Sequence, residues 1–326
     1  MSPPPSSFPT IGVGTWAWGN QFLWGYDAGQ DQELHAAFAR AVSLGLRFFD
    51  TADSYGTGRW NGRSEILLGR WCAELPPGQR DGLTVATKLA PFPWRLGRRG
   101  FDRAFAASRQ RLQGKLDRVQ LHWSTARYAP WQEKPLLDGL ADLVLAGEVG
   151  ELGLSNVGPR RLRRLHADLA ERGVRLASLQ MQLSLLAPEA IAPGGVAEVC
   201  RDLDVELLAY SPLALGWLAP AAGQEARPLP AGPRGLLFRR LERGAAALRQ
   251  GLRDIAAARR VPAAAVALNW CRAHGAMPIA GLRRPQQVNQ VADALSWTLS
   301  MAERDALDRL AFANPARMPA NPFQSA

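Results

Sequence analysis

The stretch Phe48-Phe49-Asp50-Thr51-Ala52-Asp53-Ser54-Tyr55-Gly56 carries an apolar run into a carboxylate, and a tyrosine follows in a glycine-bearing loop. Two later apolar runs end in the same way, because residues 83–87 lead into Lys88 and residues 116–121 lead into His122. In a parallel α/β barrel the carboxyl ends of the strands open at one mouth, where catalysis takes place. The sequence therefore predicts that four polar side chains meet at such a mouth: Asp50, Tyr55, Lys88 and His122.

The pattern of strand, loop and helix recurs along the whole chain. Strands are predicted at residues 11–16, 46–50, 83–88, 116–122, 149–154, 177–181, 205–210 and 277–280. Helices are predicted at residues 32–44, 101–112, 134–146, 159–172, 196–202, 241–259, 262–274 and 285–295, with another beginning near Ser64. This repeat favours a (β/α)8 TIM barrel over an open Rossmann sheet, whose GxGxxG motif is missing. We predict one domain over residues 1–326, with a flexible tail at 1–9, a long loop at 211–235 after the seventh strand, and extra C-terminal helices.

Composition narrows the class of protein. The chain has 326 residues, of which 47% are hydrophobic, and a net charge of +10. The basic excess lies in scattered arginine pairs without interleaved aromatic residues, which argues against nucleic-acid binding. Three distant cysteines without metal-site spacing indicate reduced thiols, and no apolar run is long enough to cross a bilayer. Residues 1–7 lack a secretory signal, so the sequence predicts a cytoplasmic protein without a membrane or metal partner.

Each of the four polar residues also has an ordinary structural interpretation, such as a cap, a loop anchor or a core histidine. Together they suit one kind of chemistry. A tyrosine has an ordinary pKa near 10, and the Lys88 ammonium is expected to lower it while Asp50 holds Lys88 by an ion pair. With His122 orienting a carbonyl oxygen, the set could protonate that oxygen as charge develops on it. No side chain donates hydride, so a cofactor must supply it.

Short motifs occur in a fixed order along residues 11–312. They are Gly14-Thr15-Trp16, Phe49-Asp50-Thr51-Ala52 with Tyr55-Gly56, Ser64-Glu65 with Leu68-Gly69, Ala86-Thr87-Lys88, Gln120-Leu121-His122-Trp123, Gly153-Leu154-Ser155-Asn156, Ala209-Tyr210-Ser211-Pro212-Leu213 and Pro285-Gln286-Gln287-Val288. Together they resemble the aldo-keto reductase family. The segments 14–19 and 91–94 look similar to a branch found in cyanobacteria and plastids.

The resemblance implies a (β/α)8 barrel that binds NADPH without a Rossmann fold and reduces an aldehyde or ketone to an alcohol. It makes Tyr55 the general acid, Lys88 and Asp50 its tuning pair, and His122 the group that orients the carbonyl. The resemblance also places the guanidinium of Arg283 where the family binds the 2′-phosphate of the cofactor, with Arg284 beside it, which favours NADPH over NADH.

The resemblance also implies a set of cofactor contacts. Ser155, Asn156 and Gln180 would bind the nicotinamide carboxamide, and Tyr210 would stack on the nicotinamide ring. The remaining implied contacts, which include the pyrophosphate segment, are Thr15, Trp16, Ser211, Pro212, Leu213, Gly281 and Gln287.

Two segments depart from the family pattern. Leu179-Gln180 stands where many relatives have Asn-Gln, and Leu183 stands where they have a tyrosine. Gln180 is retained, so binding of the carboxamide is still implied. The adenine-contacting Glu-Asn of the family falls at Gln290-Val291, which puts the contact with adenine in doubt.

Aromatic residues are frequent in the predicted loops at the mouth. Trp71 and Trp270 are expected to pack in the barrel instead. An aromatic rim favours a hydrophobic or aromatic aldehyde, and related branches include pyridoxal reductases, so pyridoxal is one candidate. The candidate substrate-binding residues are Trp16, Trp18, Trp24, Trp60, Phe92, Trp94 and Trp123.

A second hypothesis is a regulatory subunit that keeps the fold and NADPH but turns over little, like the aldo-keto-reductase-like β subunits of potassium channels. The four polar residues fit both hypotheses. We see no long amino-terminal segment that could act on a partner, which favours the enzyme. A metal-dependent or phosphate-binding barrel enzyme would need carboxylate or histidine clusters that the sequence lacks. The oligomeric state stays open.

Overall fold

Eight parallel strands form a closed barrel in which each strand pairs with the next and the last pairs with the first. The computed structural model describes residues 10–219, 229–230 and 232–325, so the tail predicted at 1–9 lies outside the described residues. Each predicted strand overlaps an observed one, and the predicted TIM barrel is confirmed. The strands are β1 (Gly12–Gly14), β2 (Phe48–Asp50), β3 (Thr84–Leu89), β4 (Arg118–Leu121), β5 (Glu151–Ser155), β6 (Leu176–Gln182), β7 (Glu206–Tyr210) and β8 (Ala276–Gly281).

Helices surround the barrel and follow most of its strands. No helix in the described ranges is long and apolar enough to cross a membrane. The helices are α1 (Gln21–Trp24), α2 (Asp31–Ser43), α3 (Arg63–Ala73), α4 (Pro77–Asp81), α5 (Asp102–Arg111), α6 (Pro130–Leu145), α7 (Pro159–Ala170), α8 (Val196–Asp202), α9 (Pro233–Glu242), α10 (Ala246–Arg259), α11 (Ala263–Ala273), α12 (Pro285–Ala292) and α13 (Met301–Ala313).

Two predictions about the region after β7 need correction. The helix predicted at 241–259 is wrong as a single element, because the chain breaks between α9 and α10. A Cβ on Gly244 would lie 3.2 Å from both Ala316 Cβ and Pro315 Cγ, so the carboxyl-terminal segment packs closely against this break. The long loop predicted at 211–235 is also too long, since its last residues belong to α9, and residues 220–228 and 231 within it lie outside the described residues.

An apolar layer fills the amino-terminal end of the barrel. Its buried members are Phe48, Ala86, Leu208, Met277 and Ile279. The guanidinium of Arg118 lies 5.2 Å from the centre of the Phe48 ring and pairs with Glu151 at 2.7 Å and Glu206 at 2.8 Å. Charged groups at this end are thus paired with one another, and the polar residues predicted to act chemically lie at the opposite, carboxyl-terminal end of the strands.

Helix α7 carries a cluster of arginines on the side opposite its apolar face. Leu162, Leu165 and Leu169 repeat at helical spacing and are completely buried against the barrel. Arg163 and Arg164 lie on the exposed face of the same helix. The arginines therefore form the solvated side of an ordinary amphipathic helix.

Candidate active site

A buried ion pair joins the end of β2 to β3. Lys88 Nζ donates to Asp50 Oδ2 at 2.6 Å and to the backbone oxygen of Thr51 at 2.8 Å. The Lys88 and Asp50 side chains are only 1% and 4% exposed, so little water screens their attraction. Burial lowers the pKa of Lys88, and the Asp50 charge opposes that shift. The structure brings these two predicted residues together.

Two amides from β4 and β6 hold the other oxygen of the Asp50 carboxylate. Gln180 Nε2 donates to Asp50 Oδ1 at 2.8 Å, and Gln120 Nε2 donates to the same oxygen at 3.2 Å. Gln180 therefore directs one of its two amide N–H groups to Asp50, and its contact with the nicotinamide carboxamide stays a prediction. The sequence analysis missed Gln120. Its position two residues before His122, on the same face of β4, was the available signal.

Tyr55 lies beside this ion pair, in the loop after β2. Lys88 Nζ is 4.8 Å from the centre of the Tyr55 ring, and the His122 ring meets it edge-on at 5.9 Å. Burial and the Asp50 charge raise the pKa of Tyr55 well above its ordinary value of 10. The pKa of Tyr55 is therefore raised overall and not lowered as predicted, because desolvation of the phenolate and the Asp50 charge outweigh the attraction of the nearby ammonium.

The loop that carries Tyr55 depends on the glycine that follows it. Gly56 has a φ of +107°, and a Cβ at this position would lie 1.9 Å from the backbone oxygen of Trp60. Only glycine fits both the conformation and the space. The backbone N–H of Gly62 donates to the Tyr55 carbonyl at 2.8 Å and closes the loop. This turn fixes the tyrosine next to Lys88.

His122 follows β4 and faces the same group of residues. Burial and the charges of Lys88 and Arg95 hold the pKa of His122 well below its ordinary value of 6.5, so the ring is neutral near pH 7. Ser54 Oγ lies 3.4 Å from His122 Nδ1. If the serine hydroxyl donates to Nδ1, the ring proton sits on Nε2, and we assign this tautomer. A neutral N–H can then bind a carbonyl oxygen.

A second ion pair lies next to His122, and the sequence analysis did not predict it. Arg95 Nη1 donates to Asp53 Oδ2 at 2.5 Å and to the backbone oxygen of Ala90 at 2.7 Å. The Asp53 backbone N–H donates to the Lys88 carbonyl at 3.0 Å. This pair ties the loop after β3 to the loop after β2, and it places a cation near the imidazole.

The residues predicted at the nicotinamide form a hydrogen-bonded cluster. Asn156 Nδ2 donates to the backbone oxygen of His122 at 3.1 Å and to Ser155 Oγ at 3.0 Å. Asn156 Oδ1 accepts from Tyr210 OH at 2.9 Å and from Asn321 Nδ2 at 3.1 Å. The carboxyl-terminal segment thus reaches the cluster through Asn321, which the sequence analysis missed. Amide and hydroxyl groups of this kind fit a carboxamide ligand.

The segment after β7 has an unusual backbone. Ser211, Ala214 and Leu215 all have φ in the left-handed region, at 53°, 47° and 57°. Such conformations cost energy in non-glycine residues and cluster at ligand sites. The predicted cofactor contacts Ser211, Pro212 and Leu213 all lie here, directly after Tyr210 ends its strand.

Arg283 follows β8 and lies half-buried. Its Nη2 donates to Gln30 Oε1 at 2.8 Å, and no carboxylate pairs with its guanidinium among the residues that the structure describes. Gln287 Oε1 accepts from the backbone N–H groups of Arg283 and Arg284 at 2.9 and 3.1 Å. Arg284 instead pairs with Glu33 at 3.4 Å. A half-buried guanidinium without a counterion suits a phosphate, so this part of the site fits NADP(H).

Thr15 differs from its predicted role as a cofactor contact. Its hydroxyl lies 3.0 Å from the Asp50 backbone oxygen and 2.5 Å from Ser64 Oγ, and its side chain is completely buried. Thr15 therefore fixes the junction of β1 and β2 from inside the protein. Trp16 is partly exposed, and Gly281 is exposed and paired with Gly14, so both remain candidates for cofactor contact.

Four aromatic side chains form a continuous row, which we name the aromatic row: Phe92, Trp94, Trp123 and Phe323. Trp94 stacks on Phe92 at 4.7 Å, Phe92 meets Trp123 edge-on at 5.9 Å, and Trp123 stacks on Phe323 at 4.7 Å. Tyr128 OH accepts from Trp123 Nε1 at 2.8 Å. Because His122 lies 5.0 Å from Trp123, the row adjoins the reacting residues and offers flat apolar surface to a substrate.

The other predicted aromatic residues lie elsewhere. Trp60 packs edge-on against Tyr26 at 5.3 Å. Trp24 meets Trp16 edge-on at 6.4 Å and lies 3.9 Å from the guanidinium of Arg234. Within the described part of the chain no ring contact joins either of them to the aromatic row, so Trp24 and Trp60 belong to a different part of the mouth.

Trp18 is not a substrate contact, contrary to the prediction. It is completely buried, packs edge-on against Trp71 at 5.1 Å, and donates its indole N–H to the Leu282 backbone oxygen at 2.9 Å. It belongs to the core, as Trp71 and Trp270 do. Val291, at one of the adenine-contacting positions of the family, is likewise buried at 2% exposure, so its side chain cannot bind adenine from the surface.

Comparisons with known proteins agree over nearly the whole chain. A model of the Aldo/keto reductase family matches residues 10–311. The chloroplastic pyridoxal reductase of Arabidopsis thaliana is 44% identical over 326 residues, which cover 98% of this chain and 88% of the relative. An uncharacterised oxidoreductase of Mycobacterium bovis is 33% identical over 312 residues, which cover 91% of this chain and 87% of the relative. The plant relative supports the predicted similarity to a plastid-type branch.

Solved structures show the same fold. The aldo-keto reductase of Klebsiella pneumoniae in complex with NADPH is 25% identical with a TM-score of 0.70, covering 96% of this chain and 94% of that one. The glycerol dehydrogenase of Gluconobacter oxydans has a TM-score of 0.73 at 23% identity, covering 97% and 95%. Taken with the barrel and its polar mouth, these matches show that the chain belongs to the aldo/keto reductase family of NADP(H)-dependent oxidoreductases.

Proposed function

We propose that this protein reduces an aromatic aldehyde of the pyridoxal type to the corresponding alcohol, with Tyr55 as the proton donor. Family membership supports carbonyl reduction with NADPH in general. Two features support the finer assignment. The aromatic row provides flat apolar surface beside His122, and the Arabidopsis relative at 44% identity is named a pyridoxal reductase.

Each polar residue has a separate role at the carbonyl group. When bound, NADPH supplies the hydride that adds to the carbonyl carbon. The neutral His122 donates an N–H hydrogen bond to the carbonyl oxygen and orients it. As the electron pair of the C=O bond moves to that oxygen, Tyr55 transfers its proton there and becomes a phenolate. The Lys88 ammonium stabilises the phenolate until a proton from water restores the phenol.

The raised pKa of Tyr55 is compatible with this role. A proton donor must hold its proton before the reaction, and a phenol whose pKa lies well above 10 is fully protonated at neutral pH. The oxygen that develops charge is that of an alkoxide, whose conjugate acid is weaker still, so the transfer is favourable once hydride has begun to move. Asp50 contributes by keeping Lys88 charged and in place within a buried site.

The placement of Tyr55 between Lys88 and His122 is the observation that carries the proposal. The test follows the loss of NADPH absorbance with pyridoxal, other aromatic aldehydes and small aliphatic aldehydes, for the wild type and for Tyr55→Phe. We expect turnover that favours the aromatic aldehydes, and a loss of about 100-fold or more in the variant. NADPH binding measured by titration should change little, because the lost hydroxyl is not a cofactor contact.

The alternatives give different results in the same experiment. Tight NADPH binding without turnover of any aldehyde would support the regulatory-subunit hypothesis. Turnover of aliphatic but not aromatic aldehydes would refute the substrate class and leave the reductase assignment intact. Near-native turnover by Tyr55→Phe would refute the role of Tyr55.

A further inference from the structure

We propose that Trp24 and Gln30 are positioning residues for NADPH, which hold Arg283 in place for the 2′-phosphate. Both belong to the connection between β1 and α2, far in sequence from the arginine that they contact. The inference rests on the proposed assignment of Arg283 to the phosphate, and it adds the residues that make this arginine a preformed binding group.

Arg283 is held by two contacts that do not neutralise its charge. Its guanidinium lies 5.8 Å from the centre of the Trp24 ring, within the range of a cation–π interaction. Its Nη2 also donates to Gln30 Oε1 at 2.8 Å. Neither partner is an anion. Arg284 has a carboxylate partner in Glu33, whereas Arg283 has none among the residues that the structure describes, so its charge remains available to a ligand.

Trp24 carries a second guanidinium. Arg234 Cζ lies 3.9 Å from the centre of the same ring, and Arg234 Nη2 donates to the Leu215 backbone oxygen at 3.0 Å. Leu215 belongs to the segment with left-handed backbone after β7. The Trp24 indole therefore links two parts of the proposed cofactor site. Through Arg234 it contacts the segment after β7 that we assign to the pyrophosphate, and it also contacts Arg283, which we assign to the 2′-phosphate.

The surroundings of Trp24 give a second pointer to an anionic ligand. The indole Nε1–H of Trp24 is also buried without a hydrogen-bond partner in the described part of the chain. A buried donor without a partner beside two guanidiniums fits an anion that binds among them. The phosphates of NADPH supply anions at both places.

Local hydrogen bonds hold the short segment that presents Trp24. Helix α1 is capped by Asn20, whose side chain accepts from the Leu23 N–H at 2.9 Å. It ends at Gly25 in the left-handed conformation, with a φ of 62°. Gln30 Nε2 donates to the Gly25 backbone oxygen at 3.0 Å, so the second contact of Arg283 is anchored to the same turn. Preorganisation of this kind reduces the entropy lost on binding.

The test compares the affinities of NADPH and NADH by calorimetry for the full-length wild type and four variants. Trp24→Leu removes the aromatic ring beside Arg283, whereas Trp24→Phe keeps an aromatic ring there. Gln30→Ala removes the amide that accepts a hydrogen bond from Arg283, at a solvent-accessible position. Phe22→Leu is the matched control, because Phe22 lies on the same helix and is 71% exposed. The same comparison is repeated with two cofactor fragments: 2′,5′-ADP, which carries the 2′-phosphate, and 5′-AMP, which lacks it.

We expect Trp24→Leu to weaken NADPH and 2′,5′-ADP about tenfold and NADH and 5′-AMP less than about threefold. Trp24→Phe should recover part of the loss, because it restores the ring face and not the indole N–H, and Gln30→Ala should show the same selectivity with a loss of about threefold. Phe22→Leu should match the wild type. Equal losses for both cofactors in Trp24→Leu and no selective loss in Gln30→Ala would overturn the proposal. A wild type without preference for NADPH would instead refute the assignment of Arg283, which is a separate failure.

Discussion

Lys88 Nζ lies 2.6 Å from Asp50 Oδ2, and the side chains of both residues are almost completely buried. Removing two charged groups from water costs desolvation energy, which their mutual attraction offsets. If one partner is removed, the other charge stays buried without compensation. We predict that Asp50→Asn destabilises the folded state by about 3 to 5 kcal/mol and strongly reduces turnover, because Lys88 loses the carboxylate that holds it in place. Urea unfolding followed by circular dichroism measures the first effect.

The matched control for this pair is an exposed one. Arg70 and Glu74 form an ion pair at 3.0 Å with side chains that are 68% and 44% exposed. Glu74→Gln should leave the unfolding midpoint nearly unchanged, because water already screens that pair. If Asp50→Asn and Glu74→Gln unfold at the same urea concentration, the buried pair does not stabilise the protein as we infer.

The pH dependence of turnover should lack a histidine near its ordinary pKa. Burial and the charges of Lys88 and Arg95 hold the pKa of His122 well below 6.5. We therefore expect kcat to stay flat from about pH 8 to below about pH 6.5, since the ring remains neutral throughout. An acid limb with an apparent pKa near 6.5 would show that His122 titrates normally or that another group limits the rate.

The lowered pKa of His122 also makes the folded state less stable at lower pH. Between the ordinary pKa of 6.5 and the lower value in the folded state, the unfolded chain binds a proton at His122 and the folded chain does not. The unfolding free energy therefore falls as the pH falls through this window. Replacing His122 with Gln should remove that part of the pH dependence, which unfolding curves at several pH values would detect.

Arg283 and Arg284 are adjacent in sequence and should nevertheless differ in their effect on the cofactor. Arg283 is half-buried and has no carboxylate partner among the described residues, whereas Arg284 pairs with Glu33 at an exposed position. We predict that Arg283→Ala weakens NADPH by about 10-fold to 100-fold and NADH much less. Arg284→Ala should change both by less than about threefold. Equal losses for NADPH and NADH in Arg283→Ala, measured by fluorescence titration, would contradict the assignment.

Sequence alone locates Asp50, Lys88 and His122 because each ends or directly follows an apolar strand, and the ends of parallel strands converge. The turn after β1 is harder to interpret. That strand has only three residues, and the chain then turns through Gly19 at a φ of +89°. Side chains alternate between two faces in a strand, but no such periodicity holds in a turn. The sequence therefore does not show that Trp18 is buried while Trp16 is partly exposed.

Local sequence patterns also do not predict contacts between residues that are far apart in the chain. Asn321 and Asn156 are 165 positions apart, and Asn321 lies in an irregular segment after α13. The break at Gly244 is another such case, because Pro315 and Ala316, far away in sequence, pack closely against it. By contrast, α13 had a readable local signal. Ser300 and Glu303 form a capping box at its start.

The last prediction concerns Phe323, which extends the aromatic row from the carboxyl-terminal segment. It stacks on Trp123 at 4.7 Å and is 44% exposed, so one side of its ring is open to a substrate. We predict that Phe323→Ala raises KM for pyridoxal and other aromatic aldehydes by about threefold to tenfold with little change for small aliphatic aldehydes. Phe312→Ala is the control, because Phe312 has a similar exposure of 43% on α13. A rise in KM that is equal for aromatic and aliphatic aldehydes would mean that Phe323 supports the fold of the mouth and does not contact the substrate ring.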